Sequence, residues 1–157
     1  LFIEHRCLYG RKEELPEEEY LVPIGKAAIR REGTDITIIS YSKMLDVVLK
    51  AAEDLAKEIS VEVIDLRTLV PLDIDTLTES VNKTGRFIVA HEAPVRCGYG
   101  AEVVRCLVEK CFDKLKTAPR VVGGKNIPMP YSPPLEKACI PQEQDLIGAV
   151  REMVQTR

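Results

Sequence analysis

Four residues in this chain have the types and spacing to do chemistry. Asp65 and Arg67 close one short apolar run, Val61 to Asp65, and His91 and Glu92 follow another, Phe87 to Ala90. Both runs have the length of buried strands, and in an open parallel sheet the residues just past strand C-termini line the crevice where ligands or partners sit. A guanidinium at such a place can hold a carboxylate or phosphate bidentately. With Glu92 or Asp65 beside it, Arg67 instead becomes half of a structural ion pair, the reading its surroundings favour; a subunit-interface contact and a small-anion ligand are the alternatives. His91 and Glu92 are the nearest thing to an acid–base pair, since histidine exchanges protons near neutral pH. Adjacent residues on a strand face opposite sides of the sheet, so the two are not expected to share a site. His5 is the only other histidine. No nucleophile, base and orienting residue can be assembled from this order, and structural or interface roles for both histidines are favoured.

Two weaker signals lie nearby. Ser40, Tyr41 and Ser42 follow the run Ile36 to Ser40 and could cradle an anion at a helix N-terminus; a helix cap with a turn is the plainer expectation. Gly98-Tyr99-Gly100 echoes a phosphate loop, but it is not a GxGxxG motif, and close backbone packing at a helix start explains it as well.

The elements that would position these residues alternate. Ile36 to Ser40, Val61 to Asp65, Arg86 to Ala90 and Arg120 to Val122 read as strands. Lys43 to Glu58 reads as a helix, because Met44, Val47, Val48, Ala51, Ala52 and Leu55 recur at helical spacing. A second helix is capped by Asp73 and runs to about Asn82. A third spans Gly100 to about Leu115, and a closing one Gln142 to Gln155. Gly123 to Pro141 reads as a Pro-rich loop, in which Met129, Tyr131 and Leu135 offer a stiff, partly apolar surface. Strand–helix alternation of this kind gives an α/β fold, a parallel sheet covered by helices on both faces.

The chain has 157 residues, 45% hydrophobic and 30% charged, with a net charge of −3. That length suits a single core. Lys and Arg are scattered, which argues against a nucleic-acid surface, and no apolar run approaches the ~20 residues that span a bilayer. The five cysteines match no zinc-ligand spacing and read as free thiols. Asn82-Lys83-Thr84 matches a glycosylation acceptor by chance. The opening residues do not read as a secretory signal, so a cytoplasmic location is expected, with the mitochondrial matrix as the alternative. Leu1 to Glu4 reads as a strand already under way with no Met before it. Residues 6–25 read as a linker, punctuated by Gly10, Pro16 and Pro23 and made acidic by Glu13, Glu14, Glu17, Glu18 and Glu19.

Asp65 to Asp73 (DLRTLVPLD), Lys83-Thr84-Gly85-Arg86, His91-Glu92-Ala93-Pro94 and Gly98 to Glu102 resemble the beta subunit of thiamine-diphosphate-dependent 2-oxo acid dehydrogenases. Ala118 to Val121, Pro128 to Tyr131 and Ile140-Pro141 continue the likeness in order. The resemblance implies a transketolase-like C-terminal domain over residues 26–157, a three-layer α/β/α unit around a mostly parallel sheet with one antiparallel strand. It implies that residues 1–25 are the last strand of a missing pyrimidine-binding domain plus a linker, so that the chain is a fragment or a cleaved piece. In such enzymes the alpha subunit binds the diphosphate and Mg2+, and the missing domain supplies the activating Glu and catalytic His. No catalytic, cofactor-binding or metal residue is therefore carried over to this chain. The implied role is to organise an α2β2 heterotetramer with an alpha subunit and a second beta subunit, and to help dock the dihydrolipoyl acyltransferase. Two other readings stand beside it: a stand-alone nucleotide-binding or regulatory module using the crevice at Ser40, Arg67 and Glu92, and the C-terminal part of a transketolase or deoxyxylulose-phosphate synthase.

Overall fold

A computed structural model describes residues 1–12, 14 and 16–155. Glu13, part of the acidic linker, and the last two residues of the expected 26–157 domain lie outside the described residues.

Five strands form one sheet: β1 (Ala28–Arg31), β2 (Ile36–Ser40), β3 (Val61–Asp65), β4 (Phe87–Pro94) and β5 (Arg120–Gly124). Their spatial order is β1-β3-β2-β4-β5. β2, β3, β4 and β5 run parallel, and β1 pairs antiparallel with β3. The helices are α1 (Met44–Asp54), α2 (Ile74–Thr84), α3 (Tyr99–Cys111), α4 (Pro133–Cys139) and α5 (Glu143–Gln155). Each parallel crossover needs a helix to return the chain to the same end of the sheet, which places helices on both faces. α1 and α5 cover one face, over Ile36, Ile38, Val61, Val63 and Ile88. α2 and α3 cover the other, over Ile39, Ile64, Phe87 and Val89. β2 is buried at all five positions because it lies in the middle and is covered on both sides.

Two local devices set the boundaries of α2. The Asp73 carboxylate accepts from the Thr76 and Ala27 N–H groups, at 3.5 and 3.0 Å, and from the Thr76 hydroxyl at 2.8 Å. Burial raises its pKa, but these bonds outweigh burial and hold it below the ordinary range. At the other end Gly85, at φ 72°, closes the helix in the left-handed conformation. The glycosylation-like Asn82 sits inside this helix.

Several expectations are corrected. Leu1 to Glu4 form no strand; Leu1, Phe2 and Ile3 are almost fully exposed and have no neighbouring strand to complete a ladder. The loop expected over Gly123 to Pro141 contains α4, which Pro133 and Pro134 open at the positions where a missing N–H costs nothing. β4 extends to Pro94, so His91 and Glu92 lie within the strand and not past its end. The third helix gives way at Cys111 to a short 3-10 turn.

Candidate functional site

β2 sits between β3, which precedes it in space, and β4, which follows, so the helices after β2 and β4 leave to opposite faces. The crevice at their C-terminal ends is the topological switch point, where open α/β sheets place ligands. The backbone marks this end of the molecule. Ser42 and Arg67, two residues past the ends of β2 and β3, and Cys97, three past the end of β4, have φ of 55°, 55° and 59°. Non-glycine residues held there cost of order 1 kcal/mol each and gather at functional sites.

His91 is the centre of the crevice floor. It is wholly buried, and its ring stands 6.3 Å from that of Tyr41. Its Nδ1 lies 2.9 Å from the Ala93 carbonyl oxygen. A ring nitrogen facing a carbonyl must carry the proton, so Nδ1–H donates and Nε2 is left as a bare acceptor. Nε2 has no partner among the described residues. Burial pushes the His91 pKa down, partly opposed by the Ala93 carbonyl, and the ring is neutral at physiological pH.

The Gly98-Tyr99-Gly100 motif follows from this ring. A Cβ at Gly100 would lie 2.5 Å from His91 Nε2, and one at Gly98 would lie 2.4 Å from the Pro94 carbonyl oxygen and 2.7 Å from His91 Cε1. The glycines let the first turn of α3 close over the imidazole. Close packing, not phosphate binding, accounts for them.

Glu92, on the other face of β4, points away from His91 as strand geometry requires. Its carboxylate pairs with His5 Nε2 at 3.0 Å. The Cys7 N–H donates to His5 Nδ1, so the proton of neutral His5 sits on Nε2 and faces Glu92. Glu92 is therefore not the partner of Arg67. Arg67 is exposed, and among the described residues its guanidinium makes no ion pair; only its backbone N–H is held, by the Asp65 carboxylate at 3.1 Å. The ion-pair expectation fails because the left-handed turn at Arg67 aims the side chain into solvent while the same turn lets Asp65 cap the backbone. The cap expected from Ser40 or Ser42 fails as well. Ser40 is buried and donates to the Ala90 carbonyl across the sheet at 3.0 Å, and Lys43, which makes no side-chain capping bond, occupies the cap position of α1.

The segment before β1 runs over this crevice. It is tied to β4 by His5–Glu92, to the start of α1 by the ion pair of Arg11 with Asp46, and to the β3 exit by Gly25 N–H donating to Thr68 Oγ1 at 3.1 Å. Tyr41 beneath it has a raised pKa, from burial first and then from Tyr99 and Glu92. Met129, Tyr131 and Leu135 stand elsewhere, on the α4 side, and are exposed together with Ile127.

A polar cluster that sequence reasoning passed over occupies the opposite end of the sheet. Glu62, wholly buried in β3, accepts from the Ser80 hydroxyl, from the Lys83 ammonium and from the Gly33 N–H at 3.3 Å. Thr37 Oγ1 joins Ser80 at 2.7 Å and Thr84 at 2.9 Å. Burial raises the Glu62 pKa, yet Lys83, Ser80 and Gly33 together bring it below the ordinary value. The signal was present: Glu62 interrupts an apolar strand, and Ser80 and Thr84 sit four apart on the inner stripe of α2.

Among the described residues no group of three or more His, Cys, Asp or Glu side chains could hold a metal ion. The unpartnered ring nitrogen lies under glycine backbone with no room for a ligand. All five cysteines are free, and among the described residues no helix is long and apolar enough to cross a membrane.

Residues 25–146 match the family model "Transketolase, C-terminal domain". The chain belongs to this family. Of its curated relatives, the pyruvate dehydrogenase E1 component subunit beta of Rickettsia bellii is 41% identical over 154 residues, covering 98% of this chain and 47% of the relative. The acetoin:2,6-dichlorophenolindophenol oxidoreductase subunit beta of Cupriavidus necator is 42% identical over 153 residues, covering 97% and 45%. A solved "split gene transketolase, inactive beta4 tetramer" superposes with a TM-score of 0.72 at 26% identity, over 92% of this chain and 47% of that one. The chain thus spans about half the length of the relatives it matches. The family explains the mostly parallel sheet with its one antiparallel strand.

Proposed function

We propose that this chain is the C-terminal part of the beta subunit of a thiamine-diphosphate-dependent 2-oxo acid dehydrogenase of the pyruvate or acetoin type. One observation carries the reading: identity above 40% to two such beta subunits over nearly the whole chain. The enzyme it serves decarboxylates a 2-oxo acid oxidatively and passes the acyl group to lipoyl. Thiamine diphosphate and Mg2+ act in the whole enzyme, held by an alpha subunit and by the beta subunit's pyrimidine-binding domain. The domain from residue 26 onward organises an α2β2 assembly with a second beta subunit and helps seat the dihydrolipoyl acyltransferase. The bacterial relatives support a cytoplasmic location.

The side chains fit an organising role. Arg67 and the Ile127, Met129, Tyr131 and Leu135 group present a free cation and apolar area to solvent, the surface properties that mark interfaces. Isothermal titration of the chain alone with thiamine diphosphate and Mg2+ should give no binding heat. Sedimentation with an alpha subunit should give a mixed complex, which Met129→Asp and Leu135→Asp weaken while circular dichroism stays unchanged. A stoichiometric cofactor heat, or unaltered assembly of both variants, would overturn the reading at those points.

A further inference from the structure

An interior strand gives its backbone groups to two neighbours, whereas an edge strand keeps one row unpaired. The two edges of this sheet are not alike. β1 has four residues, its register against β3 slips between Ile29 and Arg31, and Arg30 and Arg31 lie on it; a short, bulged, charged strand is a blunted edge. β5 pairs only with β4 and runs regularly from Arg120 to Val122. Beside it lies a groove of about 570 Å³, with β5 as one wall and α5 as the other, closed at one end by Cys139 to Pro141.

Three observations define what the groove would hold. The free row on β5 is backbone N–H and C=O, which only another extended chain satisfies at regular spacing. Gly148 faces the groove from the middle of α5, and a Cβ there would meet nothing within 4 Å. Glycine inside a helix costs roughly 0.5–1 kcal/mol relative to alanine, and no neighbour in this chain requires it; the space it leaves suits a side chain from outside. The charges of the groove are mostly answered internally. Arg120 pairs with Glu152 at 2.6 Å, and Asp145 accepts from the Gln142 N–H at 2.8 Å. Lys125, at the Cys139 end, makes no ion pair among the described residues and leaves one positive charge there.

We propose that the groove beside β5 is a strand-acceptor site: an extended peptide segment of a partner protein adds as a sixth strand along Arg120 to Gly123, seats an apolar side chain over Gly148 and sets an acidic residue beside Lys125. A second copy of this chain fits less well, because it would bring its own α5 and 139–141 wall against the same recessed edge.

The full chain is titrated with fluorescein-labelled peptides Ser-Val-Thr-X-Thr-Val-Glu, X running from Ala through Leu and Phe to Trp, read by fluorescence anisotropy. An apolar X larger than Ala should tighten binding by about tenfold. Methylating alternate backbone nitrogens should abolish binding in one register and spare it in the other. Gly148→Phe should block the groove with the circular dichroism unchanged, and Gly148→Ala should bind and melt higher than the parent. The proposal is overturned if no X binds up to about 1 mM, or if binding ignores both the methylation register and Gly148→Phe. It is also overturned if β5 amides gain hydrogen-exchange protection as the chain alone is concentrated, since the edge would then belong to a second copy.

Discussion

The two ends of the sheet solve opposite problems. At the N-terminal end of the parallel strands, a wholly buried carboxylate is answered by a hydroxyl, an ammonium and a backbone N–H, and the hydroxyl joins Thr37, which in turn joins Thr84. At the C-terminal end, three residues hold left-handed backbone, a buried ring nitrogen goes unanswered, and an arginine faces water. Polar groups in a low-dielectric interior are costly unless paired, so the Glu62 cluster, whose members answer one another, is built for stability. The crevice end keeps strain and loose charge that the rest of the fold must carry, as sites and contact surfaces do.

The sharpest way to break this contrast is to unsettle the Glu62 cluster. Glu62→Ala strands the Ser80 hydroxyl, the Gly33 N–H and the Lys83 ammonium, and should cost about 3 kcal/mol. Urea unfolding at neutral pH measures it; a midpoint unmoved with an unchanged slope would show that the cluster adds nothing.

At the crevice end the largest loss should come from Gly100→Ala, which drives a methyl into His91 and should cost about 2 kcal/mol. His91→Ala opens the space, so the double variant should lose less than the sum of the two single ones. Additive losses would mean that ring and glycine do not act on each other.

The pH dependence separates the ends again. The folded pKa of His91 lies below its unfolded value, so the unfolded chain binds more protons near pH 6. Its contribution is complete above about 6.5 and is lost as the pH falls below that. Glu62 also has a lowered folded pKa, so its contribution is complete above about 4.3 and is lost on further acidification. Acid melting curves should therefore show two arms, and His91→Phe should remove only the upper one.

Arg67→Ala should do least, within about 0.5 kcal/mol, because among the described residues none holds its guanidinium. Its effect should show instead in sedimentation with an alpha subunit. A large fall in melting temperature would mean that the side chain is held after all.

Much of this was legible in the sequence for physical reasons that can be named. The strands Ile36 to Ser40 and Val61 to Asp65 are apolar runs bounded by turn residues, and their limits agree with the structure. Asp73 was readable as a cap because its geometry is local. β1 was not readable, since Ala28 to Arg31 carries two arginines and its place depends on β3, over thirty residues away in sequence, to which only the family resemblance pointed. Arg67 stands past the end of β3 as read, whereas Glu92 lies inside β4, and their pairing hung on one left-handed residue and on His5 from the segment before β1, neither of which leaves a periodic trace. α4 escaped notice because proline was read as a breaker, whereas at a helix start it fits.

The unequal edges have a consequence for colloidal behaviour. Open-ended fibres grow when a molecule carries two mutually adhesive edges, because each addition exposes a fresh one. Here β1 is short, slipped in register and charged, whereas β5 presents a free row that is regular from Arg120 to Val122, before its own register shift ahead of Gly124. A copy that laid its β5 against another β5 would leave only the two blunted β1 edges outward, so such association stops at a closed pair. A molecule arranged in this way can keep an adhesive edge open to solvent without seeding a fibril.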